Sequence, residues 1–281
     1  MWLICCKDQA GRSVERPNQQ NIMGIGQFTV VHRFNDRVVR KIPSDTSDIY
    51  SVRAVEIEAQ VYRHLGRHKR IARCLRCSED YVDLRYEANG DLESYLRDYC
   101  ASDSFRHRMA RQAIEAVIFI HAKGVTHSDL SARQFLVDKH CNARLSDFGG
   151  SSLQGSDAII IENATHFLPR DEDAPNTVQS DLFALGSTIY EILAGHKPYG
   201  GLEGKKIPQL YSTKRFPSLD EIKDVSWRTV VLKCWMTRYK SASDIRKDIP
   251  SLLSRILVWR GSHPAKGILE SATPICERAS H

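Results

Sequence analysis

The sequence predicts an α+β protein in which strands come first and helices second. Short runs of β-branched and aromatic residues fill Ile22 to Ile42 around a turn at Asn35-Asp36, and two more such runs follow, Arg73 to Cys77 and Tyr81 to Tyr86. Beyond residue 88 the apolar residues recur at helical spacing instead. A third observation concerns chemistry. Between residues 127 and 149 two acidic residues, Asp129 and Asp147, flank two short β-like runs, and a hairpin there presents both carboxylates at one end.

Composition sets the bounds. A chain of 281 residues, 42% hydrophobic and 26% charged, can bury a sizeable core. Its apolar runs, such as Ala116 to Ile120, fall far short of the roughly 20 residues a membrane span needs, so no membrane partner is expected. The opening Met1 to Cys6 is apolar but lacks the charged segment and length of a secretory leader. The expectation is an intracellular protein, cytoplasmic or nuclear, with its eight cysteines reduced. A lipid on Cys5 or Cys6 is the alternative to a frayed terminus. The net charge of +6, from 40 Lys and Arg against 34 Asp and Glu, is mild and does not argue for nucleic acid.

Taken in order, residues 1 to 20 turn polar after the first six and read as a flexible tail. Gly24 and Gly26 follow, where the missing Cβ lets backbone amides approach an anion. From Ser47 to Leu65 apolar residues at Val55, Val61, Tyr62 and Leu65 mark an amphipathic helix bounded by Gly66. Next comes a basic run, Arg63, Arg67, Lys69, Arg70, Arg73 and Arg76, which reads as a solvated helix end, with a dock for an acidic partner as the alternative. Cys74 and Cys77 with His64 and His68 make a loose metal-ligand pattern. The favoured reading places both cysteines on one face of a strand as small buried hydrophobes. Phe105, Met109, Ala113, Val117 and Ile120 share the face of a helix that Gly124 ends. Thr177 to Ala194 is apolar nearly all round and stops at Gly195, as a central buried helix should. Val230 to Trp235 and Ile245 to Leu257 supply the last helices, and Trp259 to His281 reads as a second tail.

His127-Ser128-Asp129-Leu130, Gln134 and Asp147-Phe148-Gly149 nearly reproduce the His-Arg-Asp-Leu-x-x-x-Asn and Asp-Phe-Gly signatures of protein kinases. With the glycine-rich stretch, Val38-Val39-Arg40-Lys41, Asn89-Gly90-Asp91-Leu92 and the run from Asp181 to Gly186, the chain resembles that family over roughly residues 21 to 257. It looks closest to the short single-domain kinase-like proteins of filamentous fungi. The resemblance implies a β-rich small lobe (21–87), a helical larger lobe (88–257) and a C-terminal tail (258–281), with ATP and magnesium between the lobes. It also implies transfer of the γ-phosphoryl group of ATP to a hydroxyl of a protein substrate. In that scheme Asp129 is the base, Lys41 and Glu58 form an ion pair at the phosphates, and Asp147 with Gln134 holds the metal. Gly24, Gly26, Val31, Val39 and Leu136 would surround the nucleotide, with Leu84 as gatekeeper and Arg85, Tyr86 and Glu87 as the hinge.

The departures are as informative. Ser128 replaces the arginine beside the base, Gln134 replaces the metal-binding asparagine, and Thr29 takes the third glycine position. Arg170 stands where the family's Ala-Pro-Glu has its acid, and Tyr239 stands where that acid's arginine partner belongs. Arg170 is therefore expected to turn to solvent or to an acid such as Asp171 or Glu172, leaving the segment more weakly anchored. Gln134 is expected to slow transfer rather than abolish it, which leaves a pseudokinase scaffold as the alternative reading. A small-molecule phosphotransferase shares the His-x-Asp loop, but Asp-Phe-Gly and the Asp181 to Gly186 run count against it. Ser131, Arg133 and Asn163 leave serine/threonine or tyrosine specificity open.

Overall fold

A computed structural model describes residues 21–171 and 173–249, with the backbone of Cys6–Lys7 and Ser13–Val14, which pair antiparallel. The remainder of the expected N-terminal tail lies outside the described residues. So do the C-terminal tail, the expected boundary at 257 and most of the last predicted helix, whose described start is a 3-10 turn over Ala242–Lys247.

The first lobe is a five-stranded antiparallel sheet. Strands β1 (Ile22–Ile25), β2 (Thr29–Asn35) and β3 (Val38–Pro43) run in succession, and β4 (Cys74–Cys77) and β5 (Val82–Arg85) complete the order β1-β2-β3-β5-β4. The β2–β3 turn forms where Asn35 accepts the Arg37 amide at 2.9 Å, a side-chain mimic of a backbone turn. Helix α1 (Ile49–Leu65) packs against this sheet; Asp48 caps its first turn by accepting the Tyr50 and Ser51 amides, and Gly66 at φ 66° ends it. Val55, Val61, Tyr62 and Leu65 are buried, as their spacing predicts.

One strand corrects the reasoning applied to it. Cys74 and Cys77 do face the same way, but alternation alone sends residues three apart to opposite faces. A bulge intervenes: Cys74 lies opposite Leu84 and Cys77 opposite Val82, so three steps on β4 match two on β5. Opposed residues share a face, and both thiols therefore point with the buried Leu84 and Val82 side chains.

The second lobe is helical. Helices α2 (Leu92–Asp98), α3 (Asp103–Ala122), α4 (Val178–Ala194), α5 (Ile207–Ser212) and α6 (Val225–Trp235) surround a core containing Met109, Ile120, Leu182, Phe183 and Trp227. Short strands β6 (Val125–Thr126), β7 (Phe135–Val137), β8 (Ala143–Leu145) and β9 (Ser152–Leu153) form two ladders, β7 with β8 and β6 with β9, that shape the face towards the sheet lobe. Every residue of α4 from Ser180 to Ile192 is buried. A Thr177–Ser180 capping box starts this helix and Gly195, left-handed at φ 90°, stops it. Among the described residues no helix is long and apolar enough to cross a membrane.

The closeness of α4 to α6 rests on Gly186. A Cβ there would lie 2.5 Å from the Cβ of Cys234, an atom fixed to the backbone that no rotamer change can move aside. Alanine gains about 1 kcal/mol of helix propensity over glycine. Overpacking costs roughly 1–3 kcal/mol, so Gly186→Ala is expected to destabilise by up to about 2 kcal/mol net, read as a lower urea midpoint at unchanged slope.

Candidate active site

Lys41, in β3, reaches across the interface of the two lobes. Its Nζ lies 2.5 Å from Glu58 Oε2 on α1 and 2.6 Å from Asp147 Oδ1, which follows β8. Lys41 and Glu58 are almost wholly buried, whereas the Asp147 side chain is 48% exposed. Burial alone would lower the lysine pKa, but Asp147 and Glu58 together hold it raised, so the ammonium stays charged. For Asp147 burial pushes upward and is outweighed by Lys41, leaving the carboxyl below its usual range. Phe148, the next residue, is fully buried and meets the Tyr62 ring of α1 edge-on at 5.2 Å between centroids.

The loop from His127 to Gln134 is held from beneath by Asp181 of α4. Its carboxylate accepts the His127 amide at 2.8 Å, the Ser128 amide at 2.9 Å, and a contact from His121 Nε2 at 2.8 Å. Those bonds support an uncommon backbone, because Ser128 sits at φ 73°, a left-handed conformation a side chain disfavours. Ser128 is fully buried and offers no charge. Further along α4, Glu191 Oε2 accepts the Ala132 amide at 3.0 Å and lies 3.6 Å from His166 Nε2. Neither Glu191 nor His166 was singled out in the sequence, since a lone acid in an apolar helix and a lone histidine carry no local motif.

Asp129 stands at the mouth of this loop with 13% of its side chain exposed. Burial raises its pKa to about 7, with Asp147 adding to the shift and Arg133 and Gln134 opposing it. Gln134 Nε2 donates to Asp129 Oδ2 at 2.5 Å. Here the extra methylene of glutamine has a consequence that sequence reasoning missed: it carries the amide nitrogen onto the carboxylate of the expected base. The amide oxygen of Gln134 accepts no hydrogen bond from the described residues, and neither does Asp147 Oδ2.

Around these groups lie the residues expected to face a nucleotide. Val39 and Leu84 are buried, Val31 and Leu136 half-buried, and a Cβ on Gly24 would meet only open space, so the glycine-rich turn is accessible from outside. Glu87 is engaged sideways: its Oε1 accepts from Arg85 at 2.6 and 2.8 Å and lies 3.9 Å from Arg144. Tyr86, half-buried, lies beneath the Arg33 guanidinium at 4.0 Å and donates its amide to Arg37 O. Among the described residues no three His, Cys, Asp or Glu side chains converge on a self-sufficient metal site. Asp147 Oδ2 and the Gln134 oxygen are acceptors left without a donor among those residues, the ligand type that suits magnesium, an ion usually held by one or two carboxylates together with substrate phosphates.

Just past the segment from Asp147 to Pro169, Arg170 does pair with an acid, but that acid is neither of the two named for it. Arg170 turns neither to solvent nor to Asp171, and Glu172 lies outside the described residues. Its Nη2 pairs with the buried Glu162 at 2.8 Å and contacts Asn176 Oδ1, while its guanidinium lies 4.7 Å over the Phe167 ring. The acid eight residues upstream was overlooked because nothing in the linear spacing indicates that the segment folds back on itself. At the other end Tyr239 donates to Asp248 at 2.6 Å, and Lys233 pairs with the same carboxylate. Two local clusters thus stand where the resemblance implies one long-range ion pair.

The family model for protein tyrosine and serine/threonine kinase matches residues 18–249, and the chain belongs to that family. The yeast (Saccharomyces cerevisiae) serine/threonine-protein kinase KIC1 is 25% identical over 90% of this chain, and the mouse NUAK family SNF1-like kinase 1 is 26% identical over 90%. The human tyrosine-protein kinase FRK is 27% identical over 63%. The aligned regions cover only 26%, 44% and 38% of these three relatives respectively.

The Arg170–Glu162 pair makes a direct prediction. Removing one partner of a buried pair strands the other charge, at about 3–5 kcal/mol, whereas replacing both with apolar residues is near neutral. Arg170→Met alone is expected to destabilise by about 3 kcal/mol, and Arg170→Met with Glu162→Met to recover most of that loss in a urea double-mutant cycle.

Proposed function

We propose that this chain is an ATP-dependent protein kinase, slowed by Gln134, that transfers the γ-phosphoryl group to a hydroxyl of a protein substrate. The single observation that carries the reading is the Lys41 ammonium held between Glu58 and Asp147 beside an accessible glycine-rich turn. Such a fixed cation, already desolvated, is suited to draw in and orient the nucleotide phosphates. Backbone amides at Gly24 and Gly26 would cover them, and Val31, Val39, Leu84 and Leu136 would enclose the adenine, with the hinge backbone at Tyr86 and Glu87 beside it.

Asp129 would orient the attacking hydroxyl and accept its proton, a role that its raised pKa suits near neutral pH. Asp147 and the Gln134 oxygen would hold magnesium, which when bound supplies positive charge against the phosphate oxygens. The family's names span serine/threonine and tyrosine kinases, and the acceptor residue type is left open here.

The contact from Gln134 to Asp129 favours a second reading, a pseudokinase that binds nucleotide or partners. While the amide donates to Oδ2, that oxygen is a poorer proton acceptor, and the substrate hydroxyl must use Oδ1 or displace the Gln134 amide. Asparagine is too short to make the same contact from the same backbone, so Gln134→Asn is expected to raise the rate about 10-fold to 100-fold, since each 1.36 kcal/mol is a factor of ten. The measurement is γ-phosphoryl transfer from labelled ATP across magnesium and manganese titrations, with Asp129→Asn as the silent control. If Gln134→Asn gains nothing and Asp129→Asn matches wild type, the pseudokinase reading replaces the first.

Phosphate on the segment from Asp147 to Pro169 is not required in this mechanism. Ser128 carries no charge beside the base for such a phosphate to neutralise. Phosphatase treatment is expected to leave the rate unchanged, and a tenfold drop would contradict this.

A further inference from the structure

The basic run after α1 folds around a cavity of about 360 Å3 that none of the candidate nucleotide or catalytic residues lines. Five of its twelve lining residues are Lys or Arg, namely Arg63, Arg67, Lys69, Arg73 and Arg144, and none is Asp or Glu. Some of these charges are already used. Arg144 pairs with Asp138 at 2.9 Å, and Lys69 lies 3.7 Å from Glu115. Arg63 reaches only a backbone oxygen, that of Cys77, at 3.5 Å. Arg67 and Arg73 are exposed and make no ion pair or side-chain hydrogen bond with the described residues. A solvated helix end needs no cavity and does not direct its charges into one.

Tyr62 lines the same cavity with 4% of its surface exposed, and its hydroxyl has no hydrogen-bond partner. That hydroxyl is fully enclosed with the Glu58 and Asp147 carboxylates as its charged neighbours, so it offers nothing to an anion in the cavity. The floor is rigid. Ala72 N donates to Leu145 O and Leu145 N to Arg70 O, both at 2.8 Å, which clips the loop to β8 two residues before Asp147. The lining combines arginine forks at the rim with an apolar wall of Ile71, Ala72, Cys74 and Cys77.

We propose that this cavity binds a phosphoserine- or phosphothreonine-bearing peptide of a partner protein. Three of the lining charges, Arg63, Arg67 and Arg73, are arginines with no ion pair among the described residues, and their planar donors match phosphate oxygens two at a time. They converge on one hollow of side-chain dimensions. A nucleic acid would call for a stripe of charge tracking successive phosphates, and a membrane for a flat basic face. The apolar wall accommodates the residues next to the phosphate. This inference does not rest on catalysis, because Arg67 and Arg73 belong to no part of the proposed phosphoryl-transfer machinery.

The test uses the full chain and a fluorescent degenerate peptide pool with one fixed phosphoserine or phosphothreonine, beside the same pool unphosphorylated, read by anisotropy. Wild type is expected to bind the phosphorylated pool at least tenfold more tightly, and Arg67→Glu with Arg73→Glu to lose that preference while ATP binding and melting temperature hold. If the charge reversal disturbs folding, Arg67→Gln with Arg73→Gln serves in its place. Equal binding of the two pools overturns the proposal, as does a preference that survives loss of both arginines. Displacement of the peptide by a single-stranded oligonucleotide or by phosphatidylserine vesicles, at lower concentration than by the peptide itself, would assign the surface to those ligands instead.

Discussion

Three parts of the molecule are joined at the Lys41 ammonium: the sheet through β3, helix α1 through Glu58, and the larger lobe through Asp147. Of these two carboxylates and one cation, Lys41 and Glu58 are almost wholly buried, and each desolvated charge needs its partners in place. If α1 swings away, Glu58 leaves with it; if the turn after β8 inverts, Asp147 is lost. Phe148 reinforces the same geometry by packing edge-on against Tyr62 of α1, so apolar contact and ion pair favour one relative placement of helix, sheet and turn. Gly149 belongs to this arrangement too, since a Cβ there would come within 3.2 Å of the Ala54 carbonyl oxygen on α1.

The larger lobe solves a different problem, how to hold a strained loop still. Asp181 is fully buried inside α4, and its carboxylate satisfies two amides of the loop that carries Asp129. A buried carboxylate without such donors would be prohibitive, and the left-handed Ser128 without such an acceptor would relax. Each makes the other affordable. Glu191, nearly three turns along the same helix, repeats the device for Ala132 and reaches His166 in the segment above. A helix buried on all sides, which on hydropathy alone reads as mere core, thus serves as the platform on which both loop and segment are registered.

The segment itself illustrates how a family architecture tolerates reversed charge. An acid and a distant arginine are replaced by an arginine and a nearby acid, and the site once met by the arginine is closed by Tyr239, Asp248 and Lys233. The electrostatic requirement is that no buried charge be left alone, and the identity of its partner is secondary. Similar logic explains why Glu87 is tied to Arg85 and Arg144: its carboxylate is buried at the junction of the lobes and must find cations there.

Periodicity and glycine stops by themselves determined the order of strands and helices and the ends of α1 and α4, while the family resemblance carried by short motifs singled out Lys41, Glu58, Asp129, Asp147 and Asp181, because those signals are local: 2- and 3.6-residue repeats, glycine stops and fixed spacings within a motif. The tertiary structure alone decided what the departures mean. The bulge that turns Cys74 and Cys77 to one face depends on how β4 pairs with β5. The choice of Glu162 for Arg170 depends on a segment folding back over eight residues. The contact between Gln134 and Asp129 depends on a turn that sets an amide nitrogen beside a carboxylate. The hollow formed by the basic run depends on its being clipped to β8, more than seventy residues away in sequence. In each case the deciding contact joins residues that no repeat or spacing relates, so the free energy that selects it exists only once the chain has packed.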